Sequence, residues 1–245
     1  MSRLFAFVYG VLCYLLFFVT LLYAIGFIGN LVVPKSIDSG IPVSYALAIP
    51  VNLVLLAIFA IQHSVMARPA FKRWWTQYVP PSIERSTYVL LSSLALILLY
   101  WLWKPMPEVI WHVDNTAGRY VLWALFWAGW VLVLISTFLI SHFDLFGLRQ
   151  VYLNLKNRPY SPPPFKDPLL YRIVRHPIML GFIIAFWATP HMSAGHLLFA
   201  IGTTAYIIIA LQLEERDLVA HHGEDYEEYR KRVSMLIPIP KKKQH

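Results

Sequence analysis

Two arginines and a histidine stand directly before an apolar segment in the stretch YRIVRHPIMLGF. Arg172, Arg175 and His176 supply N–H donors, and Pro177 suits the first turn of a helix, where its missing N–H costs nothing. The amides that follow are unpaired at a helix start and carry partial positive charge. Gly181 lets a second backbone or a ligand approach closely. The stretch predicts a pocket for a carboxylate or phosphate group; the competing interpretation is that the cations only anchor the segment and His176 caps it.

Acidic and aromatic residues follow the same apolar region in the stretch LQLEERDLVAHHGEDYEEYRKRV. Glu214 and Glu215 have carboxylates that can bind ribose hydroxyls or an ammonium group, or balance a sulfonium. Tyr226 and Tyr229 can offer ring faces to a cation or a purine. The alternative is an amphipathic surface helix whose charges are solvated. The pattern favours that alternative for the other acidic residues of the tail.

A polar pair, Gln62 and His63, lies near the end of a second apolar run. Polar and ionisable side chains inside a membrane segment are costly and therefore indicate function. The pair predicts contacts to a substrate, and His63 is a candidate base. A hydrogen bond between two helices is the structural alternative.

A third group, His142, Asp144 and Arg149, follows the fourth apolar run. If the helix continues past Ser141, His142 and Arg149 lie two turns apart and share a face. Asp144 can orient the imidazole so that it acts as a base. Long side chains that reach from the apolar region to the interface are the alternative.

The composition shows which elements must position these residues. Of 245 residues, 58% are hydrophobic and 14% are charged, whereas charged residues make up about a quarter of soluble domains. Five regions lack Asp, Glu, Lys and Arg: 4–34, 39–67, 86–103, 120–141 and 176–213. Since a membrane helix needs roughly 20 apolar residues, the chain is predicted to be an all-α polytopic membrane protein. The single Cys13 excludes an internal disulfide and a cysteine-based metal cluster.

Four ordinary spans are predicted near residues 5–30, 43–66, 85–103 and 119–141. The last apolar run differs, because residues 178–189 are too few to cross a bilayer and residues 190–195 resemble a turn. A helical hairpin is therefore predicted, followed by a cytoplasmic helical tail with a break at Gly223. The chain is interpreted as one integral-membrane domain: a four-helix scaffold (1–141), an irregular, partly extended cytoplasmic loop (142–175), and the hairpin with its tail (176–245).

Basic residues alternate between the two sides of the predicted spans. The loop 142–175 has six Lys or Arg against two acidic residues, while Lys35 and Asp38 cancel in the loop after the first span. This bias is typical of cytoplasmic loops. It predicts cytoplasmic N- and C-termini for a chain embedded in the lipid bilayer. An orientation signal accounts for the +8 net charge better than nucleic-acid binding does.

The hairpin and tail together form the pattern RHP-x-x-x-G, an apolar hairpin, then EER-x-L-x-x-x-x-G-x-x-Y-x-x-Y-x-x-x-V-x-x-x-x-P, ending at Pro238. This pattern resembles the isoprenylcysteine carboxyl methyltransferase superfamily, which includes phospholipid methyltransferases and NnrU-like proteins. The resemblance implies a membrane-embedded site for the cofactor S-adenosylmethionine (SAM), without a Rossmann fold. One departure is Met179, where many members have Tyr.

The segments around His63 and His142, with RHPIMLGF-x-x-AFWATP-x-M and GHLLFA, are similar to the bacterial methanethiol S-methyltransferases. The resemblance implies methyl transfer from SAM to the small volatile thiol methanethiol in a bacterial inner membrane, releasing dimethyl sulfide and S-adenosylhomocysteine. No obligate protein partner is inferred. The residues implied for the cofactor are Tyr171, Arg175, His176, Pro177, Gly181, Glu214, Glu215, Tyr226 and Tyr229. Those for substrate and catalysis are Gln62, His63, His142, Asp144, Arg149 and Arg172, and no metal is implied.

The chemistry requires a proton acceptor or a stabilised anion, because alkyl thiols are mostly protonated at neutral pH. His142 with Asp144, or His63, can act as the base. Arg149 or Arg172 can hold the charge of the thiolate.

Other functions remain open from the sequence alone. They include methylation of another small thiol or a lipid-like acceptor, and a sterol-reductase-like enzyme that uses NADPH. A transporter, or an electron-transfer protein with haem on His63 and His142, is a further alternative from a different class.

Overall fold

The computed structural model describes residues 2–238. Residues 239–245, which the sequence analysis assigns to the cytoplasmic tail, lie outside this range. The described chain forms two compact units, one of residues 2–111, 143–162 and 191–202, the other of residues 112–142, 163–190 and 203–238.

Helices dominate both units. In chain order the elements are α1 (Arg3–Gly29), α2 (Tyr45–Ala67), α3 (Pro69–Trp75), α4 (Pro81–Leu102), β1 (Val109–His112), α5 (Thr116–Ile140), α6 (His142–Leu145), α7 (Leu148–Leu155), a 3-10 helix (Leu169–Arg172), α8 (Pro177–Trp187), β2 (His191–Ser193), α9 (Ala194–His222) and α10 (Glu224–Arg232). The strands β1 and β2 pair with each other.

Five helices among residues 2–238 are long and apolar enough to cross a membrane: α1, α2, α4, α5 and α9. The apolar helix α8 has only 11 residues. The predicted all-α polytopic membrane fold is therefore confirmed, and the chain is an integral membrane protein.

In the first unit, α4 packs against α1 and α2, and α7 packs against α1. Gly10 of α1 lies directly against Val151 of α7. The hydroxyl groups of Tyr9 and Thr87 are 3.0 Å apart and join α1 to α4.

In the second unit, α5 packs along α8. A Cβ atom added to Gly181 would lie 2.7 Å from the carbonyl oxygen of Gly129, and one added to Gly129 would lie 2.7 Å from the carbonyl oxygen of Gly181. The two glycines therefore allow the two backbones to touch. This close packing fixes where α8 begins relative to the end of α5.

The predicted hairpin and tail are present. The helix α8 is followed by residues 188–193, which turn the chain. The helix α9 then returns and continues to His222. Gly223, with a φ of 57°, separates α9 from α10. The break predicted at Gly223 is confirmed.

The loop 142–175 differs from the prediction of an irregular segment, because its first part holds α6 and α7. The helix α5 ends at Ile140, so the continuation past Ser141 on which the pairing of His142 with Arg149 depended is absent. Ser141 has an extended backbone with a φ of 163°. Gly147, with a φ of 86°, then reverses the chain against the backbone of Ser86, so only a residue without Cβ fits. His142 and Arg149 therefore do not share one helical face.

Two further features differ from the prediction. The basic segment after α2 forms the short helix α3. The third span begins at Pro81, four residues earlier than expected, because proline occupies the first helical turn. Glu84 and Arg85 are thus part of α4.

Candidate active site

Glu215 lies at the centre of an ion-pair network in the second unit. Its Oε1 accepts a hydrogen bond from Nε of Arg175 at 2.6 Å, and Nε2 of His176 lies 3.1 Å from the same oxygen. Its Oε2 lies 3.2 Å from Nε of Arg230. We call Arg175, His176, Glu214, Glu215 and Arg230 the hairpin cluster. The cluster joins the start of α8 to the end of the apolar part of α9, as the sequence predicts.

The two adjacent glutamates differ in environment. The side chain of Glu215 is 5% exposed. It contacts the guanidinium groups of Arg175 and Arg230 and the imidazole of His176. The side chain of Glu214 is 46% exposed, and its Oε2 lies 4.0 Å from Nδ1 of His176. Glu215 therefore holds the cluster together, and Glu214 presents a carboxylate that a ligand can reach.

Backbone contacts tie the tail to the start of α8. Val174 and Ser234 form a parallel bridge, and the amide of Arg175 donates to the carbonyl of Ser234 at 2.8 Å. The guanidinium of Arg175 also donates to the carbonyls of Arg230 and Val233. Arg175, 8% exposed, is thus a fixed structural cation.

Three tyrosines line the same region. The hydroxyl of Tyr229 donates to the carbonyl of Tyr171 at 2.6 Å, and the hydroxyl of Tyr171 donates to the carbonyl of Ser136 at 3.3 Å. Tyr226 is 2% exposed, and its hydroxyl has no hydrogen-bond partner among the described residues. Burial raises the pKa of all three phenols, so each remains a neutral donor.

Phe165 covers the tyrosines from the proline-rich loop. Its ring centroid lies 5.8 Å from that of Tyr226 and 5.3 Å from that of Tyr229, in edge-to-face geometry. The ring of His222 is also 5.3 Å away. The loop residue thus completes an aromatic wall with α9 and α10.

Arg172 is oriented by Asp167. Its Nε donates to the backbone carbonyl of Asp167 at 3.0 Å and lies 4.0 Å from the carboxylate. Both residues line an open cleft of about 540 Å³, together with Arg232 and Val233. Arg172 is therefore a solvent-facing cation, unlike Arg175.

Pro177 and Gly181 have different roles in α8. Pro177 is the first residue of the helix, and the side chain of His176, at the N-cap position, makes no capping hydrogen bond. The amides of the first turn are therefore not covered by a capping side chain. Gly181 contacts the backbone of α5, so it serves helix packing, the first of the two possibilities that the sequence leaves open.

His142 contacts the last turns of α5, the helix that also accepts a hydrogen bond from Tyr171. Its Nδ1 is 2.9 Å from Oγ1 of Thr137, and its ring stacks on Phe138 with centroids 4.2 Å apart. The preceding residue, Ser136, accepts the hydrogen bond from Tyr171. Burial lowers the pKa of His142, so its imidazole is neutral at neutral pH.

Asp144 and Arg149 belong to the first unit and form an ion pair with N–O distance 3.0 Å. The second carboxylate oxygen of Asp144 accepts a hydrogen bond from the hydroxyl of Tyr160 at 3.1 Å. The guanidinium of Arg149 also lies over the ring of Tyr160, 5.5 Å from its centroid. The observed partners of Asp144 are thus Arg149 and Tyr160, while the Nδ1 atom of His142 contacts Thr137.

The intramembrane polar pair also lies in the first unit. His63 contacts the hydroxyl of Tyr88 at 2.8 Å through Nε2 and the hydroxyl of Ser92 at 3.1 Å through Nδ1. The guanidinium of Arg85 lies 5.0 Å from the centroid of Tyr88. Oε1 of Gln62 is buried with no partner in the described residues. The helix-to-helix hydrogen bonds that the sequence offers as the alternative for His63 are present.

A family model described as "NnrU protein" matches residues 52–235. The match spans α2 to the end of the tail and includes the hairpin cluster. The chain belongs to the NnrU family.

Curated relatives extend the similarity over the whole chain. The methanethiol S-methyltransferase of Mycobacterium tuberculosis is 62% identical over 240 residues, which cover 98% of each chain. Methanethiol S-methyltransferase 1 of Bradyrhizobium diazoefficiens is 59% identical over 97% of this chain and 84% of its own. Nurim of Mus musculus is 30% identical over 68% of this chain. No solved structure matches the chain.

Sequence reasoning on this NnrU-family chain missed several residues of the site. Arg230 was given no role, although it lies four residues after Tyr226 and so shares its face. Phe165 was part of a loop for which no contact was predicted. Thr137 and Ser136 are small polar residues inside an apolar run, and their polarity is the signal that was overlooked.

Proposed function

We propose that this protein transfers a methyl group from SAM to methanethiol, forming dimethyl sulfide and S-adenosylhomocysteine. The observation that carries the proposal is the 62% identity over 98% of both chains to a methanethiol S-methyltransferase. The geometry of the candidate site adds a physical reason, because the hairpin cluster and the neighbouring tyrosines bring cations, carboxylates and aromatic rings together at the start of α8.

The residues of the cluster suit SAM, which is a nucleoside with a carboxylate, an ammonium group and a sulfonium. The carboxylate of Glu214 is accessible, and the buried hydroxyl of Tyr226 lacks a partner among the described residues. A buried donor without a partner is unfavourable, so a ligand that accepts its hydrogen bond stabilises the site. When bound, SAM supplies a methyl group activated by the sulfonium charge.

Within this site each residue has a distinct task. Glu214 binds ribose hydroxyls or the ammonium group, and His176 binds beside it. The first amides of α8, after Pro177, bind a carboxylate. Glu215, Arg175 and Arg230 position these groups through the buried ion pairs, and Tyr171 and Tyr229 fix the wall behind them.

The acceptor must lose its S–H proton as the new C–S bond forms. His142 is the preferred base because it is neutral and lies beside Ser136 and Thr137, which are linked to the Tyr171–Tyr229 pair. A neutral imidazole accepts the proton and returns it to water. The C–S bond to the donor breaks at the same time, so both sulfur-containing products are uncharged.

The remaining candidates have supporting roles in this proposal. Asp144 holds Arg149, whose guanidinium stabilises the thiolate, with Arg172 as the alternative cation. His63 is the alternative base, and Gln62, with its unpartnered Oε1, contacts the substrate. The whole chain acts as one catalytic domain.

The membrane explains how the reactants reach the site. Methanethiol and dimethyl sulfide are small and apolar, so they partition into lipid and enter between helices. SAM is polar and comes from the cytoplasm. The proposal therefore includes the inner-membrane location and the cytoplasmic N- and C-termini that the charge bias favours.

The proposal is tested with the purified protein in detergent or lipid nanodiscs. Supplied with SAM and methanethiol, it is expected to release dimethyl sulfide, detected by gas chromatography of the headspace. Binding of SAM is compared with binding of NADPH by calorimetry. NADPH binding without SAM binding would contradict the proposal and favour the reductase alternative.

A further inference from the structure

A groove of about 380 Å³ lies in the first unit, lined by α1, α4 and the segment after α1. Leu16, Val19 and Ile97 are among the apolar residues that line it, and Tyr23 and Trp101 lie toward the ends of their helices. From residue 16 to residue 23 a helix rises about 10 Å. The groove is therefore elongated and apolar, and it runs along two membrane-spanning helices.

The groove opens toward lipid. Val19 is 60% exposed and Trp101 is 71% exposed, although both belong to apolar spans. Exposed apolar side chains of a membrane helix face acyl chains, and tryptophan is enriched at the level of the headgroups. Trp101, next to the last residue of α4, places this end of the groove at the interface.

A cation lies at the interfacial end. Lys35 is the one charged residue in the lining, and its ammonium group donates to the carbonyl of Trp101. An ammonium group has three N–H donors, so this contact leaves donors for another acceptor.

Lys104 adds a second positive charge. Burial, and repulsion by Lys104, lower the pKa of Lys35. Within residues 2–238 neither lysine forms an ion pair with a carboxylate. Lys104 follows Trp101 by three residues, just beyond the end of α4, so it lies at the same end of the groove as Lys35. An anion bound at this end is attracted by both positive charges.

We propose that this groove binds an anionic glycerophospholipid, with one acyl chain along α1 and α4 and the phosphate on Lys35 and Lys104. The site is independent of methyl transfer, and on the predicted orientation it lies in the outer leaflet. The apolar length favours an acyl chain over a free phosphate ion. The paired cations favour an anionic headgroup over a zwitterionic one.

The test uses the full chain in nanodiscs of phosphatidylcholine, to which phosphatidylglycerol with the same acyl chains is added. Native mass spectrometry counts the lipid that stays bound. Wild type is expected to retain phosphatidylglycerol over phosphatidylcholine by roughly tenfold or more, given the attraction per lysine near a charged membrane surface. The double variant Lys35→Gln/Lys104→Gln is expected to lose this preference.

Matched controls separate the site from general charge effects. Arg119→Gln removes an exposed cation on the same predicted side and is expected to keep the preference. Val19→Trp fills the groove and is expected to abolish retention, whereas Val131→Trp on α5, also exposed, is not. Any of three results would overturn the proposal. The double lysine variant keeps the preference for phosphatidylglycerol, wild type retains both lipids equally, or Arg119→Gln loses the preference as fully as the double lysine variant. Competition by inorganic phosphate alone at the concentration of the lipid would also overturn it.

Discussion

Arg175 and Glu215 are 40 residues apart in the chain and form a buried ion pair, with 2.6 Å between Nε and Oε1. The pair joins the first residues of α8 to the outgoing part of α9, so the two arms of the hairpin begin and end on the same side of the membrane. A methyl donor held by His176 and Glu214 would therefore bind at one side of the bilayer, where it can be reached from one aqueous compartment.

Replacing the two adjacent glutamates is expected to separate structure from binding. Glu215→Gln removes the carboxylate that faces the buried guanidinium of Arg175, and removing one partner of a buried ion pair costs about 3–5 kcal/mol. A large fall in thermal stability is expected. Glu214→Gln changes an accessible carboxylate, so the protein is expected to stay folded and to bind SAM about tenfold more weakly or worse.

Thermal unfolding in detergent and calorimetric titration with SAM measure the two effects. His176→Ala is the companion variant and is expected to lose SAM affinity like Glu214→Gln. Glu228→Gln, on the exposed side of α10, is the control for lost charge. If both His176→Ala and Glu214→Gln bind SAM with normal affinity, the proposed SAM site is wrong.

The contact between α5 and α8 is expected to tolerate no added methyl group. In Gly181→Ala the new Cβ atom would meet the carbonyl oxygen of Gly129 at 2.7 Å, and overpacking of this kind costs about 1–3 kcal/mol. Gly202→Ala is the control, since its nearest neighbour is the flexible end of the Leu56 side chain. Unfolding temperatures of the two variants provide the comparison; equal values would argue against the tight glycine contact.

The acid side of the pH profile is expected to report His142. Because burial lowers its pKa, the imidazole stays neutral until the pH falls below the ordinary histidine value of about 6.5. We expect kcat/KM to fall with decreasing pH, with a midpoint below that value. The folded state also loses stability over this range, because the unfolded chain binds the proton more readily.

His142→Gln is expected to lower turnover by about 100-fold or more and to remove this limb. His63→Gln tests the alternative base, which is partly buried in a span, and His112→Gln, at an exposed position, is the control. If His63→Gln removes the limb and His142→Gln retains it, His63 is the base instead.

The ion pair of Asp144 and Arg149 is expected to act in turnover and not in donor binding. Asp144→Asn frees Arg149 from its partner and is expected to keep SAM affinity while lowering kcat. Arg149→Gln and the double variant complete a mutant cycle, in which the effects are expected to be less than additive because the residues act together. Steady-state rates and SAM titrations test this; additive losses would indicate independent roles.

The sequence predicted the parts of the fold that hydrophobicity and local signals determine. The spans follow from apolar runs without charge, and the break at Gly223 follows from a glycine after an apolar helix. The meeting of Arg175 with Glu215 was predicted because a short arm, a turn and a return leave no other arrangement. Each of these features depends on residues that are close in the chain or on burial in lipid.

The remainder depended on contacts that local patterns do not encode. Ser141 and Gly147 interrupt the helix after α5 because Gly147 packs on the backbone of Ser86, which is distant in sequence. Arg230 and Phe165 join the site through tertiary packing of a charged helix and a proline-rich loop. The different roles of Glu214 and Glu215 arise from burial alone, since the two residues are identical and adjacent.

The central claim is tested most directly by the fate of the methyl group. Purified protein is given SAM that carries a trideuterated methyl group, together with unlabelled methanethiol, and the headspace is analysed by mass spectrometry. Dimethyl sulfide that contains three deuterium atoms is expected from wild type, and this product is expected to be lost in Glu214→Gln/His176→Ala. Two results would contradict methyl transfer at this site: folded wild type forms no labelled dimethyl sulfide, or the double variant releases as much as wild type.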